Sequence, residues 1–208
     1  MEDILLIGYE IMVALLPFWV VLFIKRNNQT KKGVGFSGYH LGAVIAFSVY
    51  IVGVYHFTGT GTIYDGIRYQ LELRLEQFNL IPFSNEIDVV AYLLNILLFV
   101  PLGLLVPLIW QKMNKLTKII GIGFLFTLLI ETSQLLNNRS TDVDDIIMNV
   151  LGAIIGFGLY KLGRKYVKIK IPISSPRTSE LTICILIVFT GRFLFFNEMG
   201  LARLLYGF

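Results

Sequence analysis

Residues 89–110 read VVAYLLNILLFVPLGLLVPLIW, a run of 22 residues without a charged side chain. The hydrocarbon core of a bilayer is about 30 Å thick, so a helix that crosses it needs roughly 20 predominantly apolar residues. Inside lipid the backbone must also satisfy its own hydrogen bonds, which a continuous helix does. This stretch therefore predicts a transmembrane helix, and it decides the class of fold.

Five further apolar stretches accompany this run, at residues 4–24, 39–57, 119–136, 146–162 and 181–196. Of the 208 residues, 55% are apolar and only 15% are charged, whereas an average soluble domain carries about 25% charged residues. Such a composition disfavours an ordinary soluble enzyme, a coiled coil and a disordered chain, and it favours an integral membrane protein. We therefore expect an all-α, polytopic integral membrane helical bundle with about six transmembrane helices.

The basic residues are distributed unevenly among the predicted loops. All 10 lysines lie in segments 25–38, 111–118 and 163–180 or at the helix ends that flank them. Of the 14 acidic residues, only Glu180 lies at a helix end on that lysine-rich side. Because basic loops stay in the cytoplasm, we expect both termini of this multi-pass protein to be extracellular.

Polar residues recur with helical spacing near the outer ends of two predicted helices. Glu131 and Gln134 lie three residues apart at the end of the fourth stretch, and Asp142, Asp145 and Asn149 follow at intervals of 3 and 4. Residues with this spacing share one face of a helix. Ionisable groups near hydrocarbon are costly, and they indicate a functional site or a buried partner.

Two other segments are predicted to contribute to the same region. Asn95 in the third stretch needs a hydrogen-bonding partner in lipid, and Asn79 begins a turn at residues 79–83. Arg139 lies in a connection of about seven residues, which is short enough to make its flanking helices antiparallel neighbours. We expect one cavity, open to the outer leaflet under this turn. Below it, Gly152 and Gly156 predict a close helix–helix approach.

Over about residues 43–162 the chain resembles the VanZ-like family. The resemblance rests on NLIPF at 79–83, Asn95, FVPLG at 99–103, ETSQ at 131–134, Arg139, Asp142, Asp145, Asn149, Gly152 and Gly156. It implies a bacterial cell-membrane protein, some of whose relatives are linked to low-level resistance to the glycopeptide teicoplanin, and it implies no particular reaction. We expect an N-terminal helix and cytoplasmic linker (1–42), a VanZ-like transmembrane domain (43–162), and a basic cytoplasmic linker with a C-terminal helix (163–208).

The polar cluster is compatible with several functions. As an envelope factor the protein would bind a lipid-linked cell-wall precursor or a lipoglycopeptide at the outer leaflet. As an intramembrane enzyme it would use Glu131, Asp142 or Asp145 as acid or base on a lipid or glycan head group. A proton- or cation-coupled transporter is disfavoured, since the third to fifth stretches lack polar residues below Asn149. A purely structural network, with Arg139 bridging carboxylates, is a further alternative.

The candidate ligand-binding residues come from four segments: Asn79, Asn95, Glu131, Gln134, Arg139, Asp142, Asp145 and Asn149. The segment Asp142 to Asp145 lacks the length and the glycine of an EF-hand loop, and the sequence contains no phosphate loop or zinc-ligand spacing. We expect membrane lipids as partners, no nucleic acid, and neither a metal nor a cofactor.

Three ionisable residues fall inside or beside other predicted helices. His40 and His56 lie at opposite ends of the second stretch, and we interpret both as interfacial or helix-contact residues. Glu10 either lies at the outer interface or pairs with Arg192 of the sixth stretch. We favour the interface, where the side chain can reach water.

Overall fold

The computed structural model describes residues 2–31, 38–70, 77–84, 88–166 and 179–201. The helices are α1 (Glu2–Lys31), α2 (Gly38–Thr58), α3 (Ile63–Arg68), α4 (Val89–Ile109), α5 (Leu116–Gln134), α6 (Val143–Tyr166) and α7 (Ser179–Phe195). Two short strands, β1 (Phe78–Asn79) and β2 (Thr141–Asp142), pair in parallel. The predicted all-α membrane bundle is confirmed.

Five segments of the described chain are long and apolar enough to cross a bilayer: Ile4–Asn27, Gly38–Arg68, Val89–Ile109, Leu116–Asn137 and Val143–Tyr166. The sixth predicted span corresponds to α7, whose 17 residues extend over about 26 Å. Its Glu180 contacts Lys25 near the end of α1, and its Arg192 contacts Glu10 near the start of α1. α7 is therefore antiparallel to α1 and covers nearly the same height of the bundle.

These contacts define two ends of the molecule. We call the end that holds Glu10, His56 and Arg192 the upper end, and the end that holds Lys25 and Glu180 the lower end. The long helices alternate in direction between them, so that α4 and α6 begin at the upper end and α5 begins at the lower end. The β1–β2 pair lies at the upper end, beside the start of α6.

The closest helix pair is α4 with α6, and glycines make it possible. A methyl group at Gly152 would overlap the carbonyl oxygen of Ile96, and one at Gly156 would overlap that of Val100. Gly103 of α4 has the same relation to the backbone of α6. Because these three positions carry no side chain, the backbones of α4 and α6 come into direct van der Waals contact. Such contact is a major source of attraction between helices in lipid. The predicted close approach at Gly152 and Gly156 is confirmed.

α2 contributes many of the side chains in the hydrophobic core of the bundle. Its Tyr55 is fully buried, and the ring lies 5.6 Å from Phe126 of α5 and 5.7 Å from Phe189 of α7, between ring centroids. The Tyr55 hydroxyl donates to the carbonyl oxygen of Ile185 at 3.2 Å. The outer surface carries many exposed apolar side chains, Leu97 and Leu125 among them, as expected for helices that face lipid chains.

The predicted linkers lie partly outside the described residues, at 32–37, 167–178 and 202–208. The predicted boundaries of the three segments stay predictions. Within the described ranges, α1 and α7 pack on each other, and both pack on α2. The helices at the two ends of the chain thus cover one side of the central helices.

Candidate functional site

A short parallel pairing docks the turn at residues 79–83 on the start of α6. Phe78 pairs with Thr141, and Asn79 pairs with Asp142. The Asn79 side-chain amide donates to Asp142 Oδ2 at 3.1 Å, and its Oδ1 accepts from the Ser84 hydroxyl at 2.8 Å. The structure therefore brings together Asn79 and Asp142, which are 63 residues apart in the chain.

Acidic side chains organise the first turn of α6. Asp142 Oδ1 accepts from the backbone N–H of Asp144 at 2.9 Å, which caps a helix end whose N–H groups have no partner within the helix. Asp144 is 1% exposed, and it accepts from the Phe83 backbone N–H at 2.9 Å and from the Tyr92 hydroxyl at 2.6 Å. Asp144 thus ties the turn and α4 to α6.

Sequence reasoning missed Asp144, because it lies off the helical stripe that Asp142, Asp145 and Asn149 share. The available signal was its position in the first turn, where the helix dipole favours a negative charge. The two oxygens of its carboxylate accept bonds from two separate segments. We therefore assign Asp144 to the framework of the site.

Asn95 of α4 finds its partner in Asp145. Its side-chain amide donates to Asp145 Oδ1 at 2.6 Å, and both side chains are half-buried. No described residue donates to Asp145 Oδ2. The partner that Asn95 was expected to need therefore exists, in the upper half of the bundle.

Glu131 lies below β2 and is 1% exposed. Its Oε2 accepts from the backbone N–H of Asp142 at 3.1 Å, and its backbone carbonyl accepts from the Thr141 hydroxyl at 3.1 Å. A buried backbone N–H without a partner would be destabilising by about 1–3 kcal/mol. Glu131 therefore holds the connection between α5 and α6 in place.

Three predicted site residues are directed to other neighbours. Gln134 and Arg139 both donate to the carbonyl oxygen of Thr58 at the end of α2, at 2.6 Å and 2.9 Å. Asn149 lies deeper, where its amide donates to the Thr127 hydroxyl at 2.9 Å between α5 and α6. The structure thus divides the predicted set into a group around Asp142, a pair at the end of α2 and a separate contact at Asn149.

Arg139 lines a cavity of about 560 Å³ at the upper end. The cavity lies between the α2–α3 connection, the segment after α5 and the residues that follow α7, and it is also lined by Arg68 and Arg192. Among its described lining residues, Arg139 is the one member of the predicted set. Sequence reasoning missed this assembly, because the spacing within one helix carries no information about three arginines on separate segments.

A buried ion cluster lies beneath this cavity. Glu10 is 2% exposed and accepts from Arg192 Nε at 2.6 Å, and its other oxygen lies 2.6 Å from His56 Nδ1. Arg192 also donates to the carbonyl oxygen of Thr60. The expectation that Glu10 lies at the interface is wrong, because a buried arginine on α7 provides the partner that a buried carboxylate requires. The expected helix-contact role of His56 is confirmed.

A second ion cluster, at the lower end, centres on Glu180. Its carboxylate contacts Lys25 at 2.5 Å and His40 at 2.7 Å, and it accepts from Trp110 Nε1 at 3.1 Å. Four helices meet there, namely α1, α2, α4 and α7. The contact is consistent with the helix-contact interpretation of His40, while the partners of Glu180 did not follow from the sequence.

Within the described ranges, no three His, Cys, Asp or Glu side chains are grouped so that they could hold a metal ion. The upper end thus offers half-buried amide and carboxylate groups around Asp142 and guanidinium groups around the cavity. Both kinds of group form hydrogen bonds with polar head groups, and guanidinium groups pair with phosphate or carboxylate through two parallel bonds.

Comparison with known proteins gives one family. The family model for VanZ/LLP1 matches residues 47–164. No curated protein matches the chain, and no solved structure does. The matched residues form more than half of the chain and include α4, α5 and most of α6. Together with the long apolar helices, this match shows that the chain is a multi-pass membrane protein that belongs to the VanZ/LLP1 family.

Proposed function

We propose that this protein is a bacterial cell-envelope factor that contributes to teicoplanin resistance. It binds, at the outer leaflet, the polar head group of a lipid-linked cell-wall precursor or the lipophilic glycopeptide itself. Membership of the VanZ/LLP1 family supports the envelope setting. The finer assignment rests on the chemistry of the upper end.

The observation that carries the proposal is the convergence of polar side chains on the start of α6. The turn at residues 79–83, α4 and α6 contribute half-buried Asn79, Asn95, Asp142 and Asp145. Amides and carboxylates at the edge of the hydrocarbon can donate to and accept from sugar and peptide groups. Glu131 and Asp144 are buried and engaged by backbone groups, so they position this surface.

The orientation in which the upper end faces outside is part of the proposal. The lower end carries the lysine-rich helix ends, including Lys25, Lys112 and Lys161, and basic ends stay in the cytoplasm. The test places single cysteines in a Cys184→Ser background and labels intact cells with a membrane-impermeant maleimide. We expect labelling of Ile67→Cys, which is exposed at the upper end, and none of Lys112→Cys, which is exposed at the lower end. The reverse pattern would refute the orientation and the outward-facing site.

The function is tested by the minimum inhibitory concentration of teicoplanin in a susceptible host. We expect expression of the protein to raise it, and Arg139→Gln and Asp145→Asn each to abolish the increase. Lys161→Gln, an exposed change at the lower end, serves as the control and should keep the increase. The three variants are compared at equal membrane levels. Equal resistance in all three would show that the polar cluster is structural.

An enzyme that acts on the same head group is the second candidate. It is favoured by one observation: Asp145 is half-buried, and its Oδ2 accepts no hydrogen bond within the described part of the chain. A carboxylate in this position can take a proton from a bound hydroxyl or water. Lipid extracts from cells that express the wild type or Asp145→Asn distinguish the candidates, since only an enzyme would change the lipid or glycan products.

A further inference from the structure

An apolar groove lies lower in the bundle than the cavity at the upper end. The cavity is bounded by the residues that follow α5 and by those at the end of α7. The groove, of about 290 Å³, is lined by Ile122 to Leu129 on α5 and by Leu181 to Leu186 on α7. The groove therefore lies between α5 and α7, and the cavity lies above it, where the α2–α3 connection and α3 contribute much of the lining.

Three guanidinium groups give the cavity its chemistry. Arg192 is paired with buried Glu10, so its charge is balanced. Arg139 donates to the Thr58 carbonyl, and Arg68 lies 5.3 Å from the centroid of the Tyr69 ring. Neither of these two arginines forms an ion pair with a described residue. Phosphate and carboxylate both match the geometry of a guanidinium fork, and phosphate has enough oxygens to accept from two guanidinium groups at once.

Two carboxylates also line the cavity, and their positions differ. Asp65 accepts from the N–H and the hydroxyl of Thr62 at 2.7 Å and 2.8 Å, in the capping box of α3. Glu198 lies exposed after the end of α7. Both carboxylates oppose a bound anion, and Glu198, which has no role in capping α3, can be replaced without loss of that cap.

The groove lies at the depth of a lipid chain. From Leu129 to Asn137 there are eight residues, and from Leu186 to Arg192 six, which correspond to about 12 Å and 9 Å of helix rise. Behind the groove, the ring of Tyr55 contacts Phe126 of α5 and Phe189 of α7. The lining side chains are apolar except for Thr182. The cavity and the groove are therefore within the reach of one lipid molecule.

We propose that the protein binds a phosphate-bearing lipid, with its phosphate between Arg68 and Arg139 and its hydrocarbon chain in the groove between α5 and α7. The inference goes beyond the proposed function, because it concerns the cavity and not the group around Asp142, and it rests on that function for its biological setting. Binding by the purified protein can be measured without reference to resistance, so the failure of either proposal can be recognised separately.

The test uses the full-length protein in detergent micelles and native mass spectrometry, with farnesyl phosphate as the probe. We expect one bound lipid per chain, and at least a tenfold loss of affinity in Arg68→Gln/Arg139→Gln. Arg164→Gln, a change of an exposed arginine at the lower end, should bind as the wild type does. Farnesol, which lacks the phosphate, should not bind. Equal affinity for farnesol, or equal affinity of the double variant, would overturn the proposal.

A second substitution tests whether the phosphate lies near Glu198 at the edge of the cavity. Glu198→Gln removes the opposing carboxylate and should raise the affinity for farnesyl phosphate about twofold, as expected for an exposed charge. Lower or unchanged affinity in Glu198→Gln would contradict the placement of the phosphate in this cavity.

Adjacent positions on α7 test the groove. Thr182 lines it, whereas Ile183 is exposed to the surroundings and does not line it. We expect Thr182→Trp to lower the affinity for farnesyl phosphate severalfold and Ile183→Trp to leave it unchanged. Equal effects would overturn the placement of the chain. A comparison with dioleoyl phosphatidic acid identifies the type of lipid. If it binds more tightly than farnesyl phosphate, the ligand is a membrane phospholipid, and if it binds more weakly, the ligand is a polyprenyl phosphate. Both outcomes support a phosphate-bearing lipid as the ligand.

Discussion

The substitution Arg192→Met tests the buried ion cluster at the upper end. It removes the guanidinium that donates to Glu10 at 2.6 Å and to the Thr60 carbonyl. Glu10, which is 2% exposed, then keeps His56 as its described partner. Removing one member of a buried ion pair costs about 3–5 kcal/mol, because the remaining charge stays buried.

In a membrane protein, the loss of unfolding free energy caused by Arg192→Met should lie at the lower limit of that range. In lipid, polar groups of the unfolded state also find hydrogen-bonding partners. The measured difference in unfolding free energy between a variant and the wild type is therefore smaller. We therefore expect Arg192→Met to lower the free energy of unfolding by about 3 kcal/mol. The variant Glu10→Met/Arg192→Met removes both charges and leaves the Thr60 carbonyl without this donor, so it should lie within about 1.5 kcal/mol of the wild type.

The assay is reversible unfolding in mixed micelles as the fraction of dodecyl sulfate increases, followed by tryptophan fluorescence. Arg164→Met is the control: its guanidinium donates to the Tyr160 hydroxyl at 3.0 Å in an exposed position at the lower end. It should change the free energy by less than about 1 kcal/mol. If the double variant is destabilised by the sum of Glu10→Met and Arg192→Met, the two residues are not coupled, and the reasoning is refuted.

The other stability predictions concern the α4–α6 contact and the lower end. Gly156→Ala should lower the midpoint of thermal unfolding clearly, because its methyl group would overlap the carbonyl oxygen of Val100, whereas Gly158→Ala, where nothing lies within 4 Å, should not. Equal midpoints for the two alanine variants would contradict the direct backbone contact. Glu180→Gln should destabilise the protein by about 1–3 kcal/mol, because the buried ion cluster with Lys25 and His40 loses its negative charge. An unchanged midpoint in differential scanning fluorimetry would show that this cluster adds no stability.

Several features of the site followed from the sequence because they depend on local spacing. Asn95 needed a partner in hydrocarbon, and it has one in Asp145. The glycines at 152 and 156 recur on one helix face, and they contact α4. A connection of a few residues makes α5 and α6 neighbours, and it carries Glu131 and Asp142 into contact. The helix period and the loop length restrict the last two cases to one arrangement, whereas for Asn95 only the need for a partner followed from the sequence.

Other features depend on which helices lie side by side. Arg139 was expected among the carboxylates, and it donates to the end of α2 and lines a cavity with Arg68 and Arg192. The partner of Glu10 lies 182 residues away. No spacing rule predicts such contacts, since the order of helices around a bundle is determined by packing of whole helix surfaces.

The sequence by itself determined the class of the protein, the position of its long apolar helices and the family, and it predicts an orientation. The reason is that hydrocarbon imposes the same demand on every segment: an apolar surface about 20 residues long, with its hydrogen bonds satisfied internally. Only the tertiary structure decided which polar groups face one another. A buried carboxylate needs a partner but does not specify one, and α7 placed Arg192 beside Glu10 and Glu180 beside Lys25 because it packs antiparallel to α1.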